Sequence, residues 1–120
     1  MAKLAALSDI HGNILALRAV DEDLERRGVS FVINLGDHAS GPLWPLETTR
    51  ELMERGWVNA RGNHDRLIAE AEAESLKPSD AYARRCLGAA ERAWLGGLPP
   101  VVRTDAGIFG FHGTPDDDEG

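Results

Sequence analysis

The stretch Trp57-Val58-Asn59-Ala60-Arg61-Gly62-Asn63-His64-Asp65 sets a short apolar run directly before a glycine and three polar side chains. The run Trp57–Ala60 is typical of a buried strand, and Gly62 allows the chain to turn sharply after it. In open α/β sheets, ligands bind in the crevice outside the carboxyl ends of the strands. The stretch therefore predicts a strand that ends at a functional site.

The same arrangement occurs at three other places. The other apolar runs and the polar residues that follow them are Lys3–Leu7 before Asp9-Ile10-His11, Phe31–Leu35 before Gly36-Asp37, and Ile108–Phe111 before His112-Gly113. Because side chains alternate along an extended segment, Asp9 and His11 are predicted to point to the same side. We therefore expect four strand ends to deliver their polar side chains to one edge.

Helical patterns fill the gaps between these strands. The predicted helices are one capped by Asn13 with Ile14, Leu17, Val20 and Leu24 on one face, one over 46–55, one from Arg66 to about Leu76, and one after Ser79 with Tyr82, Cys86, Ala90 and Trp94. Alternating strands and helices predict an α/β fold with a mostly parallel sheet. Val101–Arg103 and Ile108–Phe111 flank Asp105-Ala106-Gly107 and predict a hairpin, at the sheet edge or in a second sheet.

Composition limits the function classes. The 120 residues are enough for one domain, and the formal net charge of −7 does not suit a protein that binds nucleic acid through a basic surface. No apolar run reaches the roughly 20 residues of a membrane span. The single cysteine, Cys86, excludes an internal disulfide and a thiolate zinc cluster. We therefore expect a cytoplasmic protein with no membrane partner and no nucleic-acid partner.

The residue types at the strand ends suit divalent metals. Carboxylate, imidazole and amide oxygen are donors that Mn, Fe, Zn or Ni accept. Asp37 has two carboxylate oxygens and could bridge two ions, which at about 3.5–4 Å apart could clamp a phosphoryl oxygen and activate water. Taken alone, each donor has a structural alternative, such as a turn residue, a helix cap or a hydrogen-bonded histidine.

The set and order of these motifs resemble the calcineurin-like metallophosphoesterase superfamily, and in particular a branch of small bacterial phosphatases. The matching segments are Asp9-Ile10-His11, Gly36-Asp37, Gly62-Asn63-His64-Asp65 and His112-Gly113-Thr114-Pro115. The resemblance covers about residues 3–115. It implies the N-terminal part of a four-layer α/β/β/α sandwich, with a partial domain over 1–115. The acidic composition of 116–120 separately predicts a disordered tail.

The resemblance also implies a role for each matching residue. Asp9 and His11 would bind a first metal, Asp37 would bridge two metals, and Asn63 and His112 would bind the second. His64 would bind the phosphate, together with Asn63, and protonate the leaving oxygen, and Asp65 would orient His64. The implied cofactors are two divalent ions, and manganese is the ion for an assay. The implied reaction is hydrolysis of a phosphate mono- or diester by a hydroxide that bridges the two ions.

The chain departs from the family pattern at two places. The second aspartate after Gly-Asp is Ser40 here, and the final Gly-His-x-His motif does not occur. We therefore expect a truncated or split version with weak metal affinity, whose uncovered sheet edge would pair in a homo-oligomer or with a missing C-terminal segment. His38 has no family role and is predicted to be a surface loop residue.

Three function classes compete at this point. The first is a metal-dependent phosphoesterase acting on a phosphorylated small molecule or another phosphoester. The second is a weak or inactive module that keeps the fold as a binding or structural element. The third, a nucleotide-binding α/β domain, lacks both a Gly-x-Gly-x-x-Gly and a Gly-x4-Gly-Lys motif.

Overall fold

The structure, a computed structural model, describes residues 3–120. The elements follow in the order β1 (Leu4–Leu7), α1 (Ile14–Arg26), β2 (Phe31–Asn34), α2 (Pro45–Glu54), β3 (Val58–Asn59), α3 (Asn63–Glu70), a 3₁₀ turn (Ala73–Ser75), α4 (Pro78–Cys86), α5 (Ala89–Gly97), β4 (Val101–Arg103) and β5 (Phe109–Phe111). No helix within this part of the chain is both long enough and apolar enough to span a membrane.

The first three strands form a parallel sheet with β2 in the middle. Two hydrogen bonds carry the pairing past the strand ends, from Leu35 N to Leu7 O at 2.8 Å and from Ala60 N to Asn34 O at 2.8 Å. The prediction of an α/β fold with parallel pairing is therefore confirmed. All three strands end at the same edge, which brings their following loops together.

The hairpin of β4 and β5 is antiparallel and forms a sheet of its own. It lies on the face of the parallel sheet, where Val102 packs with Ile33 and Ala60 in one core cluster. Gly110 permits this approach, because a Cβ at that position would lie 2.9 Å from Cδ2 of Leu35. The hairpin prediction is confirmed. Of the two expected places, the edge of the first sheet and a second sheet, the structure shows the second sheet.

Helix α3 starts earlier and ends earlier than the sequence pattern predicts. It begins at Asn63, because the Asp65 carboxylate accepts a hydrogen bond from Gly62 N at 2.8 Å and caps the first turn. It ends at Glu70, so the predicted extension to Leu76 is wrong. The early start places Asn63 and His64 in the first helical turn, directly after β3.

The helix predicted after Ser79 is in fact two helices, α4 and α5. Leu87 adopts an extended conformation, and the Glu91 carboxylate accepts a hydrogen bond from Gly88 N at 2.7 Å, which starts a new helix. The four-residue periodicity had suggested one continuous helix. The break folds α5 back onto α3, so that Ile68, Ala83 and Leu95 share a core cluster.

The acidic segment after His112 contains a turn and an ion pair in this structure, and its disorder stays a prediction. Residues 114–117 form a turn in which Thr114 N donates to Asp117 O at 2.8 Å. Asp118 then pairs with Arg66, Nε to Oδ2 at 2.7 Å. An ion pair therefore connects this segment to α3 in this structure.

Candidate metal centre

The loops after β1 and β2 run side by side and hold each other in place. Asp9 N donates to Gly36 O at 2.9 Å, and His11 N donates to Asp37 O at 3.0 Å. These bonds continue the parallel pairing beyond the last strand residues. They bring Asp9, His11 and Asp37 from two distant parts of the sequence to one place.

Backbone strain is concentrated at these three residues. Within residues 3–120, the non-glycine residues with positive φ are Asp9 at 58°, His11 at 49° and Asp37 at 60°. A left-handed conformation costs a residue with a Cβ about 1–2 kcal/mol. Strain of this kind persists where the surrounding structure enforces it, and it clusters at functional sites. The strained residues therefore belong to two of the sequence motifs, Asp9-Ile10-His11 and Gly36-Asp37.

The closest group of potential metal ligands is Asp9, Asp37 and His112, which offer atoms that all lie within 4.8 Å of one another. His112 Nε2 lies 3.4 Å from Asp37 Oδ2. His11 is adjacent, with its Nε2 at 3.2 Å from Asp9 Oδ1 and 3.8 Å from Asp37 Oδ2. The structure therefore brings four of the five predicted metal ligands together around the Asp37 carboxylate.

Both histidines are held with Nδ1 on a backbone carbonyl and Nε2 toward the carboxylates of Asp9 and Asp37. Nδ1 of His112 donates to the carbonyl of Leu35 at 2.9 Å, and Nδ1 of His11 donates to the carbonyl of Ser40 at 2.8 Å. A neutral imidazole that donates from Nδ1 carries its lone pair on Nε2. This is the arrangement by which outer hydrogen bonds fix the tautomer of a metal-binding histidine.

Ser40 gives the family's missing aspartate position a clear local role. Its side chain lies 2.9 Å from Nδ1 of His11, and the residue is 4% exposed. With serine at this position, the carbonyl oxygen and the hydroxyl oxygen of Ser40 both orient the His11 ring. The site therefore keeps a partner for this histidine without a second carboxylate.

The fifth predicted ligand, Asn63, is less engaged. It opens α3 directly after Gly62, yet the structure of residues 3–120 shows no hydrogen bond from its side chain. Its neighbour His64 uses its backbone N–H to donate to Asp37 Oδ1 at 3.1 Å. The loop after β3 therefore reaches Asp37 through the backbone, while the role of the Asn63 amide stays a prediction.

Asp37 is a buried carboxylate at the middle of this group. Burial raises its pKa, and the negative charge of Asp65 raises it further, against the opposing effect of His112 and His64. Its oxygen lies so close to Gly62 that a Cβ there would be 2.2 Å from Oδ1. A divalent ion beside Asp37 would supply the missing positive charge. The donor set therefore fits a metal of the predicted class.

His64 is oriented by a residue that the motifs did not indicate. Its Nδ1 donates to Asp80, at 2.9 Å to Oδ2 and 3.1 Å to Oδ1, and Asp80 is 2% exposed. Burial alone would lower the pKa of His64, but the hydrogen bond to Asp80 and the charges of Asp37 and Asp80 raise it above its ordinary value. His64 also lies edge-on to His11, with 5.9 Å between ring centroids.

The expectation that Asp65 orients His64 is wrong. The Asp65 carboxylate accepts hydrogen bonds from the backbone N–H groups of Asp37 at 3.0 Å, His38 at 2.9 Å and Gly62 at 2.8 Å. Its remaining partner is Nδ1 of His38 at 2.7 Å. Asp65 therefore ties the loop after β2 to the start of α3, and the two loops carry the donor atoms.

The expectation that His38 is a surface residue is also wrong. His38 is 0% exposed, and its Nε2 lies 3.1 Å from Oδ1 of Asn59. Burial lowers the pKa of His38, but the negative charge of Asp65 and the hydrogen bond to it win, and the net shift is upward. Burial likewise acts to raise the pKa of Asp65, and the same partner lowers it. His38 and Asp65 therefore form a buried hydrogen-bonded pair, and Asp65 links this pair to the backbone of Asp37.

A cleft of about 580 Å³ opens beside the centre and is lined by Asp9, His11 and His64, with Ser40 and Ser79 on its wall. It is large enough to receive a phosphorylated small molecule. His64 thus faces the same cleft as Asp9 and His11. No pattern in the sequence connects His64 to Asp80, because the contact depends on how α4 packs.

Comparisons with known proteins agree with this geometry. The sequence model of the calcineurin-like phosphoesterase family matches residues 2–119. An uncharacterised protein from Methanocaldococcus jannaschii is 36% identical over 62 residues, which are 52% of this chain and 26% of that protein. A crystal structure of a metallophosphoesterase from Sphaerobacter thermophilus superposes with a TM-score of 0.70 and 26% identity, covering 86% of this chain and 44% of the other.

The chain therefore spans about a quarter of the length of that curated relative and less than half of that crystal structure. The family match, in contrast, extends over nearly all of it. Because this family model covers far more than half of the chain, the chain belongs to the calcineurin-like phosphoesterase family.

Proposed function

We propose that this protein hydrolyses a phosphate mono- or diester with the help of two divalent metal ions. One observation carries the proposal: Asp9, Asp37 and His112 offer ligand atoms within 4.8 Å of one another. These residues come from three different loops, and an accidental grouping of this kind would not also require positive φ at two of its members.

Each residue has a proposed role in this reaction. Asp9 and His11 would hold one ion, Asp37 would contact both, and His112 with Asn63 would hold the other. The ions would supply positive charge and Lewis acidity for the phosphoryl oxygens and for an attacking water, and their identity among Mn, Fe, Zn and Ni is open.

His64 would act on the substrate directly. Its Nδ1 is committed to Asp80, so Nε2 is the nitrogen available to the cleft. An upward shift of its pKa favours the protonated form near neutral pH, which suits a group that contacts a phosphate oxygen and donates a proton to the leaving oxygen. Asn63, at the start of α3, would contact the substrate beside it.

Hydrolysis of p-nitrophenyl phosphate and bis-p-nitrophenyl phosphate in the presence of Mn²⁺ tests the proposal. We expect turnover in the wild type, its loss on chelation with EDTA, and a fall of at least about 100-fold in kcat for His64→Ala. Asp105→Asn, in the turn of the hairpin, is the control and should retain wild-type activity. If the folded wild type turns over neither ester with Mn, Fe, Zn or Ni, the alternative of a binding or structural module is favoured.

A further inference from the structure

Helix α4 contacts α3 near both ends of α3 with two side chains. Asp80 accepts the hydrogen bond from His64, which lies in the first turn of α3, at 2.9 Å. Arg84 follows Asp80 by four residues and donates to backbone carbonyls near the other end of α3. Residues four apart lie on the same face of a helix. One face of α4 therefore contacts both His64 and the C-terminal end of the helix that carries it.

The guanidinium of Arg84 makes three hydrogen bonds to the backbone of this end. Its Nε donates to Ile68 O at 2.7 Å, and its Nη2 donates to Leu67 O at 2.9 Å and to Ala71 O at 2.7 Å. Hydrogen bonds from a charged donor are stronger than neutral ones, and a guanidinium presents its donors in a rigid plane. Arg84 therefore favours one position of α4 along α3.

Helix α3 is the fixed partner in this contact. Its first turn contains Asp65, whose carboxylate accepts hydrogen bonds from the backbone N–H groups of Asp37 at 3.0 Å and His38 at 2.9 Å. The apolar contact between the helices, where Ala83 and Ile68 belong to one core cluster, has no preferred direction. The directional bonds of Arg84 therefore decide where α4 lies on α3.

The end of α4 that carries Asp80 has few polar anchors of its own. No side chain caps the helix at Lys77, and α4 begins directly after this residue at Pro78. Within residues 3–120, the side-chain hydrogen bonds between α4 and α3 are those of Asp80 and Arg84. A slide of α4 by about 1 Å would separate Asp80 from Nδ1 of His64, and a misplacement of that size is enough to slow a catalysed reaction.

We propose that Arg84 is a positioning residue that places Asp80 against His64. Arg84 does not contact the substrate; it fixes α4 on α3, and Asp80 then orients the His64 ring so that Nε2 faces the cleft. The proposal rests on the proposed function for the part that His64 plays in proton transfer to the leaving oxygen. The contact between Asp80 and His64 can be measured without metal or substrate.

Arg92 offers a matched control at the same end of α3. It belongs to α5, and its Nε donates to Ala69 O at 3.0 Å. Arg92→Met therefore removes a guanidinium from the same helix end and leaves α4 unchanged. If Arg84 only satisfied carbonyl groups of α3, Arg84→Met and Arg92→Met would affect His64 alike.

Exchange of the His64 Nδ1 proton with water, followed by ¹H–¹⁵N NMR of the full chain in EDTA, tests the contact. A proton held by a buried carboxylate exchanges slowly. We expect slow exchange in the wild type and in Arg92→Met, and exchange about tenfold faster in Arg84→Met. Arg84→Lys keeps the charge but cannot span three carbonyls, so it should change exchange in the same direction, and it replaces Arg84→Met if that variant does not fold.

Two results of this measurement would overturn the proposal. One is an exchange rate that is the same in the wild type and in a folded Arg84 variant. The other is an equal acceleration in Arg92→Met, since the effect would then come from the end of α3 and not from the position of α4.

Kinetics with Mn²⁺ test the consequence for the reaction. A misplaced proton donor slows the departure of a poor leaving group more than that of a good one. We expect Arg84→Met to lower kcat by about tenfold for phenyl phosphate and by about threefold for p-nitrophenyl phosphate. Arg92→Met should leave the ratio of the two kcat values unchanged. In His64→Ala, adding Arg84→Met should lower kcat for p-nitrophenyl phosphate no further, and an additional loss would show a general disturbance of the site and contradict the proposal.

The two measurements separate this inference from the proposed function. Slow exchange at His64 that depends on Arg84, in a protein that hydrolyses neither ester, would keep the positioning contact and remove the phosphoesterase function. Hydrolysis of both esters, with exchange at His64 that does not depend on Arg84, would remove only the role of Arg84.

Discussion

Asp80 is the residue whose function the structure adds to the motifs. It is buried, and both of its carboxylate oxygens lie within hydrogen-bond distance of Nδ1 of His64. Asp80→Asn keeps the shape but removes the charge, so His64 should lose orientation and part of its proton affinity. We expect kcat for p-nitrophenyl phosphate to fall by roughly 10- to 100-fold while KM changes little.

The control for Asp80 is Asp105→Asn, which makes the same change at an exposed residue in the turn of the hairpin and leaves the contact to His64 untouched. Circular dichroism and thermal unfolding establish that both variants fold. A KM increase with unchanged kcat in Asp80→Asn would show that the residue shapes the cleft and does not position His64.

The ion pair of Asp118 with Arg66 makes a pH-dependent contribution to the stability of the segment that carries Asp118. The hydrogen bond from Arg66 and the charges of Arg66 and Arg61 lower the pKa of Asp118 below its ordinary 3.8, against a smaller opposing effect of burial. Because the folded pKa is lowered, the contact stabilises the tail above about pH 3.8 and is lost as the pH falls through the folded value. Titration of the Asp118 carboxyl carbon by NMR should give a midpoint that rises toward 3.8 in Arg66→Gln. A midpoint that is the same in both proteins would show that the ion pair is absent in solution.

At the scale of elements, the approach of α3 to the loop after β2 decides the geometry of the site. Gly62 has an ordinary backbone conformation, so its glycine is required by contact alone: a Cβ would lie 2.4 Å from the backbone N of Asp37. Gly62→Ala should therefore force the two loops apart and destabilise the protein by roughly 3 kcal/mol. Metal binding should weaken as well, because Asp37 moves.

Gly97→Ala is the matched control for Gly62→Ala. Gly97 is the last residue of α5, it is exposed, and a Cβ there meets no atom within 4 Å. Chemical denaturation should show it to be neutral or slightly stabilising, since alanine favours helix. Equal unfolding free energies for the two variants would mean that the close approach of Gly62 to Asp37 is not maintained.

At the scale of the whole molecule, metal binding should be coupled to stability. The fold keeps two loops in strained backbone conformations and buries the Asp37 carboxylate. Bound cations would relieve the electrostatic cost of burying that carboxylate. We expect Mn²⁺ to raise Tm and EDTA to reverse the shift. The expected gain in the free energy of unfolding is about 2.7 kcal/mol at a Mn²⁺ concentration of 100 times Kd.

The matched variant for this experiment is Asp37→Asn, which should respond little to Mn²⁺. Calorimetric titration gives the number of ions. Binding of two ions with tight, stoichiometric affinity would contradict the weak affinity expected from the missing Gly-His-x-His motif. An unchanged Tm with every divalent ion would contradict the metal centre itself.

The fold class and the candidate ligands could be predicted from the sequence, because both follow from local patterns. Apolar runs specify strands, and Asp9, His11, Asp37 and His112 each lie shortly after the end of one. Parallel strands end at one edge, so their convergence could be predicted without coordinates. The hairpin was predictable for the same reason, from two apolar runs around a turn.

The side chains that support these residues could not be predicted, because they come from segments that meet only in the folded chain. His64 pairs with Asp80 and not with Asp65, His38 lies buried against Asp65, and Asp118 reaches Arg66 across 52 positions of the chain. Such contacts depend on where helices break and how they pack, as at Leu87, and a periodic pattern carries no information about them. Local spacing in the sequence thus determines which polar side chains follow each strand. Packing of distant segments determines the charge and orientation of those side chains.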